Sequence, residues 1–327
     1  MKGSLLALAT VIVWSLLNVV NRYCVVKFDV NVIMFTSFLI FSGGVGLLII
    51  RQQVAPEKWK SGVLYSWLYT AMQIIKSFAL ITSFVYITTT EASLLFNLEV
   101  VVTYIMVFLF FKRKPHKGDY LGIIVILTGI ILFIFSLPHH IRLTVGMLVL
   151  VASIASCIRT IVVEDTTMHN PATTVRQKCG ISGYTMFFGG LVLIIFFSLV
   201  GVAKSLIGDL PTTLYFLNYF PDLREIINPM TIISACIAGF FLNSLSVYLF
   251  YATLKAATSE TFMAFRAFQP AIVFMFELLA ATQYAAMLPT LSTKDYILGA
   301  VIILGTLLIL IIPSKDSIWR TKDFIAQ

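Results

Sequence analysis

The sequence predicts an all-α integral membrane protein: ten transmembrane helices in two inverted five-helix repeats, with both termini cytoplasmic. Three observations lead there. Of 327 residues, 59% are hydrophobic and 12% charged, where soluble domains carry about a quarter charged. The apolar residues come in blocks of about twenty, the length that crosses a ~30 Å hydrocarbon core. Matched residues also recur in order in the two halves. Asp119-Tyr120 and Gly129 return as Asp295-Tyr296 and Gly305, both at an offset of 176.

The expected spans are 3–23, 30–50, 61–87, 91–111, 119–135, 145–163, 180–202, 229–254, 259–281 and 295–312. All are helical in this reading, because unpaired backbone groups cannot face lipid. The first block is long and contains Trp14, so it reads as a retained span rather than a cleaved signal peptide. Connections are short except the one at 203–228. That stretch is polar and aromatic by turns, with Tyr215, Tyr219 and Phe220 suited to headgroup depth as a surface-lying segment. The two units are then 1–137 and 138–327, the second with this outer loop and a short cytoplasmic tail.

Basic residues set the orientation. Fourteen of the 23 Lys and Arg fall on one side, among them the run Lys112, Arg113, Lys114 and Lys117, against six on the other and three within spans. The positive-inside rule puts the richer side, with both termini, in the cytoplasm. The net charge of +8 therefore reflects topology, and no nucleic-acid partner is expected.

More matches support the repeat. Thr90-Glu91 and Phe96 correspond to Ser259-Glu260 and Phe265. Gly3, Ala9 and Thr10 correspond to Gly146, Ala152 and Ser153. Five spans is an odd number, so the second unit enters from the opposite face, an architecture used for alternating access. Gly122, Gly129, Gly299 and Gly305 read as close-packing positions.

Ionisable groups at mid-depth cost about 2.5–3.5 kcal/mol or more and mark candidate sites. Lys76 and Glu99 lie at matched depth on neighbouring antiparallel spans, so they are expected to pair. The pair is either structural or one that opens for a charged or zwitterionic solute or couples to a proton. Arg266 lies on the repeat-related ninth span, with Gln269 and Pro270 one turn on, and is expected to face the same cavity. Arg159, near the end of the sixth span, reads as snorkelling to the surface. Neutral polar residues add stripes at helical spacing: Trp14 and Asn18, Gln73 before Lys76, Ser93 and Asn97, Glu99 and Thr103, and Asn243, Ser246 and Phe250. Tyr86, Tyr104, Tyr248 and Tyr251 are further candidate walls.

The candidate substrate-binding set is Trp14, Asn18, Gln73, Lys76, Asn97, Glu99, Thr103, Asn243, Arg266 and Gln269. Cys24, Cys157, Cys179 and Cys236 lie far apart with no metal spacing. No phosphate loop, HExxH helix or nucleophile elbow is present in the sequence. No metal, cofactor or enzymatic reaction is expected.

With these motifs in view, the chain resembles the drug/metabolite transporter superfamily, specifically its EamA-like branch. The resemblance rests on five-span units, a fourth span followed by a basic turn and DYxxGxxxxxxG, and Trp14 in the first span. Pro270 fits the proline usual in the ninth span, whereas Glu99-Val100-Val101 stands where the fourth would have one. The resemblance implies a secondary transporter in a cytoplasmic membrane of bacterial type. It would move amino acids or related metabolites, with a proton or counter-substrate as the coupling partner. An exchanger of a nucleoside-containing metabolite such as S-adenosylmethionine is the alternative within the class. An ion channel or a non-transporting scaffold is the alternative outside it. Polar groups concentrated at mid-depth favour the carrier.

Overall fold

The computed structural model describes residues 2–52, 56–111, 117–164, 174–207, 220–257, 262, 265–289 and 291–311. The basic turn at 112–116, the middle of the outer loop with Tyr215 and Tyr219, the match at Ser259-Glu260 and the tail from 312 lie outside the described residues.

Every regular element among the described residues is helical. In the first half these are α1 (Lys2–Phe28), α2 (Val32–Ile49), α3 (Pro56–Ser83), α4 (Thr89–Leu95), α5 (Leu98–Phe111) and α6 (Lys117–Ser136). The second half holds α7 (His139–Glu164), α8 (Val175–Ile207), the single turn α9 (Leu223–Ile226) and α10 (Pro229–Ile237). A π-helical turn (Ala238–Asn243) joins α10 to α11 (Ser244–Ala256). A 3₁₀ turn (Arg266–Phe268) leads into α12 (Gln269–Ala281), and a second one (Ala285–Met287) precedes α13 (Thr293–Ile311).

Six helical stretches among the described residues are long and apolar enough to cross a membrane, against ten expected. They correspond to the first, second, fifth, sixth, seventh and eighth expected spans. The third is diluted by Gln73, Lys76 and its serines and threonines. The fourth and ninth are broken, and those breaks prove central to the site. Of the outer loop, α9 and its flanks are described. Asp222 and Glu225 form a capping box there, and Lys204 pairs with Asp222 at 2.6 Å.

Local signals place the ends. Asp29, at φ 48°, closes α1 in the left-handed region. Asn31 then caps α2, its Oδ1 accepting from the Ile33 and Met34 N–H groups at 3.0 and 3.2 Å. Thr88 and Glu91 form a capping box at the start of α4.

Across the halves, α2 packs on α8, α6 on α13 and α4 on α12. Two sets cross over: α1 on α11 with α3 on α7, and α1 on α12 with α5 on α7. The outward surface carries large apolar side chains such as Leu64, Ile124, Leu199 and Leu304, as a face in contact with lipid requires.

Glycines set two of these contacts. A Cβ on Gly44 would stand 2.4 Å from the Phe187 nitrogen, and one on Gly190 2.5 Å from the Phe41 nitrogen, so α2 and α8 touch through backbone. On α6 and α13, Gly122 faces the Gly305 carbonyl and Gly129 the side chain of Ile302. The packing role expected for Gly122, Gly129 and Gly305 matches these contacts, and Gly299 receives Leu94 of α4.

Substituting Gly44 by Leu should therefore destabilise the fold by about 1–3 kcal/mol or more. Gly146 is the control, because its nearest neighbour to an added Cβ is 3.9 Å away. Melting in detergent, followed by tryptophan fluorescence, should separate Gly44→Leu from Gly146→Ala. Equal melting temperatures would contradict the backbone-contact reading.

Candidate functional site

The site begins where two helices break. After α4 the chain turns at Phe96-Asn97 and restarts as α5. No proline stands there. The Asn97 side chain instead donates Nδ2 to the Ser93 and Leu94 carbonyls at 3.2 and 3.1 Å, satisfying groups the turn would otherwise strand. Thr306 of α13 donates to its Oδ1 at 3.4 Å. In the ninth span, Pro270 near the start of α12 lacks an N–H for the Arg266 carbonyl. The Gln269 N–H takes that carbonyl in the 3₁₀ turn.

Glu99 stands in the first turn after one break and Arg266 in the 3₁₀ turn of the other, and the two meet. Arg266 Nη1 forms an ion pair with Glu99 Oε2, both side chains being almost fully buried. Ser156 of α7 donates to Glu99 Oε1 at 2.7 Å. Arg266 Nε donates to Gln269 Oε1 at 3.1 Å.

The pairing expected between Lys76 and Glu99 is not the one formed. Glu99, in the first turn after the break, meets Arg266 and Ser156 of α7. Lys76 instead places Nζ 4.2 Å from the centre of the Trp14 ring. Among the described residues it has no hydrogen-bond or ion-pair partner.

Arg159 also departs from expectation. It is 2% exposed rather than snorkelling. Helical side chains tilt toward the N-terminus of their helix, so an arginine near the end of α7 points back into the bundle. Its Nη1 donates to Gln73 Oε1. Its guanidinium carbon lies 4.5 Å from the Phe250 ring centre, 5.0 Å from Trp14 and 5.8 Å from Tyr69. The Nε and Nη2 atoms are buried without a hydrogen-bond partner. Arg266 lies 5.2 Å from Trp14, so three basic side chains surround one indole.

These groups border a narrow cavity of about 30 Å³, room for about two waters. Of the residues expected from sequence, Trp14, Asn18, Gln73, Lys76, Asn243, Arg266 and Gln269 line it. Asn97, Glu99 and Thr103 do not. Asn97 holds the helix break, Glu99 sits behind Arg266, and Thr103 is buried on α5. Asn21, Ser77, Phe96, Arg159 and Ser246 line the cavity as well. Asn21 follows Asn18 by three on α1, and that spacing would have found it. Of the candidate walls, Tyr86 is 43% exposed and faces outward. Tyr251 bonds Ser182 beneath the site and stacks on Tyr69 with ring centres 5.4 Å apart. Below Trp14 the bundle is filled by Phe250 and Phe262 at 5.5 and 5.3 Å and by a Thr10–Thr253 hydrogen bond of 2.9 Å.

A second buried pair lies at the far end of α1. Arg22 Nη1 donates to Glu277 Oε1 at 2.6 Å. The same carboxylate accepts the Thr89 and Thr90 backbone N–H groups at 2.7 and 3.0 Å and the Thr90 hydroxyl at 2.5 Å. One side chain of α12 thus caps α4 and clamps α1. Sequence reasoning missed it, because Glu277 sits near the end of an apolar span, where a charge reads as a boundary residue.

Residues 1–135 match the EamA-like transporter family, which belongs to the drug/metabolite transporter superfamily. A protein of known crystal structure is similar over 96% of this chain and 99% of its own, with a TM-score of 0.56 and 14% identity. At that identity the likeness is one of fold. No curated protein matches the chain.

Breaking a buried ion pair from one side typically costs about 3–5 kcal/mol. Glu277→Ala should cost at least that, since it also strands two backbone donors. Glu225→Ala, on the exposed turn α9, should cost under about 1 kcal/mol. Comparing thermal melts of the two variants tests the clamp.

Proposed function

We propose that this membrane protein, whose residues 1–135 match the EamA-like transporter family, is a carrier for a small polar metabolite that works by alternating access. The observation that carries the proposal is a cavity lined by polar and basic side chains from both halves, inside a bundle whose outer face is apolar.

The inverted repeat is part of this reading. It is supported by the recurrent sequence matches, by a family match that ends close to residue 137, and by helix contacts that survive exchange of the halves. The breaks of the fourth and ninth spans occupy corresponding places in the two units. With both termini cytoplasmic, the Trp14, Phe250 and Phe262 layer closes the cytoplasmic side and the Arg22–Glu277 clamp lies toward the outer one.

A cavity of this size is contracted around its own side chains, so a metabolite must widen it. Alternation then requires two contacts to exchange: release of the aromatic layer on one side and of the clamp on the other. The Glu99–Arg266 pair lies between them. Rearrangement there links the two broken helices, and a carboxylate relieved of its arginine is a place for a coupling proton.

Reconstituted protein should show saturable uptake and counterflow, which a channel or a scaffold would not show. Glu99→Gln should reduce counterflow by more than about tenfold. The double variant Glu99→Gln with Arg266→Gln restores charge balance and so should fold, yet remain inactive. Wild-type rates in a monodisperse double variant would refute a functional role for the pair.

A further inference from the structure

We infer that the solute is a small organic anion, held by its carboxylate or phosphate oxygens between Lys76 and Arg159. The inference rests on the carrier reading and names the substrate class of that site.

Charge balance is the first argument. Two guanidinium groups, Arg159 and Arg266, stand beside one carboxylate, Glu99, which is engaged by Arg266 and Ser156. Arg159 and Lys76 have no carboxylate partner among the described residues, and no Asp or Glu among them lines the cavity.

Unused donors are the second argument. Arg159 is 2% exposed, and only Nη1 has a partner, the neutral oxygen of Gln73. Its Nε and Nη2 are buried and unpaired. A buried donor left unpaired costs about 1–3 kcal/mol, more when charged. A guanidinium presents N–H groups in a planar fork that suits two oxygens of one carboxylate or phosphate. Lys76, also without a hydrogen-bond or ion-pair partner among the described residues, borders the same cavity and the same indole, its Nζ 4.2 Å and the Arg159 guanidinium carbon 5.0 Å from the ring centre. An oxyanion placed between them satisfies both sets of donors at once.

The indole explains how the empty site tolerates these groups. Trp14 offers its π-face to Lys76, and Phe250 and Tyr69 flank Arg159. Such contacts favour a cation by about 0.5–2 kcal/mol without supplying a counter-charge. They hold the basic groups in place and leave the anion position to the solute. A sulfonium or quaternary ammonium solute would meet uncompensated positive charge, a selection against cations built into the wall. Asn18 and Asn21 complete the cavity on α1 and suit a hydroxyl on the same solute.

The test uses the full chain in detergent at fixed ionic strength, with melting temperature and tryptophan fluorescence as readouts. The probes are succinate, 3-phosphoglycerate, glycine, choline and glycerol at up to millimolar concentration. At least one of the two anions should stabilise the protein in a saturable way, and which one does separates a carboxylate site from a phosphate site. Lys76→Gln and Arg159→Gln should each weaken that response by about tenfold or more, with Arg159→Lys intermediate. If Arg159→Gln does not elute as a single species, Lys76→Gln and Arg159→Lys decide. Stabilisation by choline or glycine equal to that by the anions, no response to either anion, or an anion response unchanged in the variants overturns the inference. Saturable counterflow of glycine or choline would overturn it while leaving the carrier reading intact. Anion binding without counterflow of any probe would do the reverse.

Discussion

The Glu99–Arg266 ion pair is the constraint that the rest of the structure accommodates. A charge taken from water into a low-dielectric bundle costs several kcal/mol even after relaxation. Here two are buried together, and each is delivered by a helix that stops and restarts. The breaks are the means of delivery: an unbroken apolar helix cannot turn its chain to aim a first-turn side chain along the bundle. They also create freed carbonyls, answered by Asn97 in one helix and by the Gln269 N–H in the other. Polar residues that look dispersed in sequence thus serve one pair. Ser156 supports the carboxylate and Gln269 the guanidinium.

The legible part of the protein was the part governed by periodicity. Apolar block length marks most of the helices, and the repeated glycines mark positions of close packing, which the structure shows to lie between α6 and α13 and against α4. Seven of the ten expected site residues line the cavity because stripes at i, i+3 and i+4 do mark inward faces. The misses come from three other causes. Lys76 and Glu99 were paired by depth along straight helices, and depth is the wrong coordinate once a helix breaks. Asn97 belonged to a stripe, but the stripe ended at the break and Asn97 became its cap. Arg159 was assigned by distance to the nearer helix end, whereas helix direction decides where a long side chain points. The Arg22–Glu277 clamp depends on α12 meeting the start of α4, a contact between residues 187 and 188 positions apart, which no local pattern encodes.

The two ends of α1 carry different kinds of contact. Near Trp14 it packs through aromatic rings and a threonine pair against α11. At Arg22 it is held by a carboxylate that is fixed by backbone donors of α4. The first is a surface of apolar contacts, closed at Gly3 by the Ala256 carbonyl. The second is a directional set of charge-assisted hydrogen bonds that is either made or broken. Helix α1 is therefore tied to the broken fourth and ninth spans by charge at one end and packed through rings and backbone at the other.

The glycine contacts set a limit on where such repacking can occur. Helices α2 and α8 meet backbone to backbone, as do α6 and α13 at Gly122 and Gly305. At that separation neither partner can shift without a clash, so these pairs behave as a frame. Between them lie α1, the broken spans and the segment Ala238–Asn243, where α-helical bonding gives way to π-helical. That turn supplies Asn243 to the cavity while Gly239 on it packs against Leu39 and Ser42 of the frame. A change in cavity size has to be borne by helices that carry a break or an aromatic contact, since the π turn is itself held against α2 through Gly239. Those are the helices that hold Trp14, Arg266 and Glu99. In the proposed carrier, the residues that would recognise the solute and the backbone that would yield to it are therefore parts of the same elements.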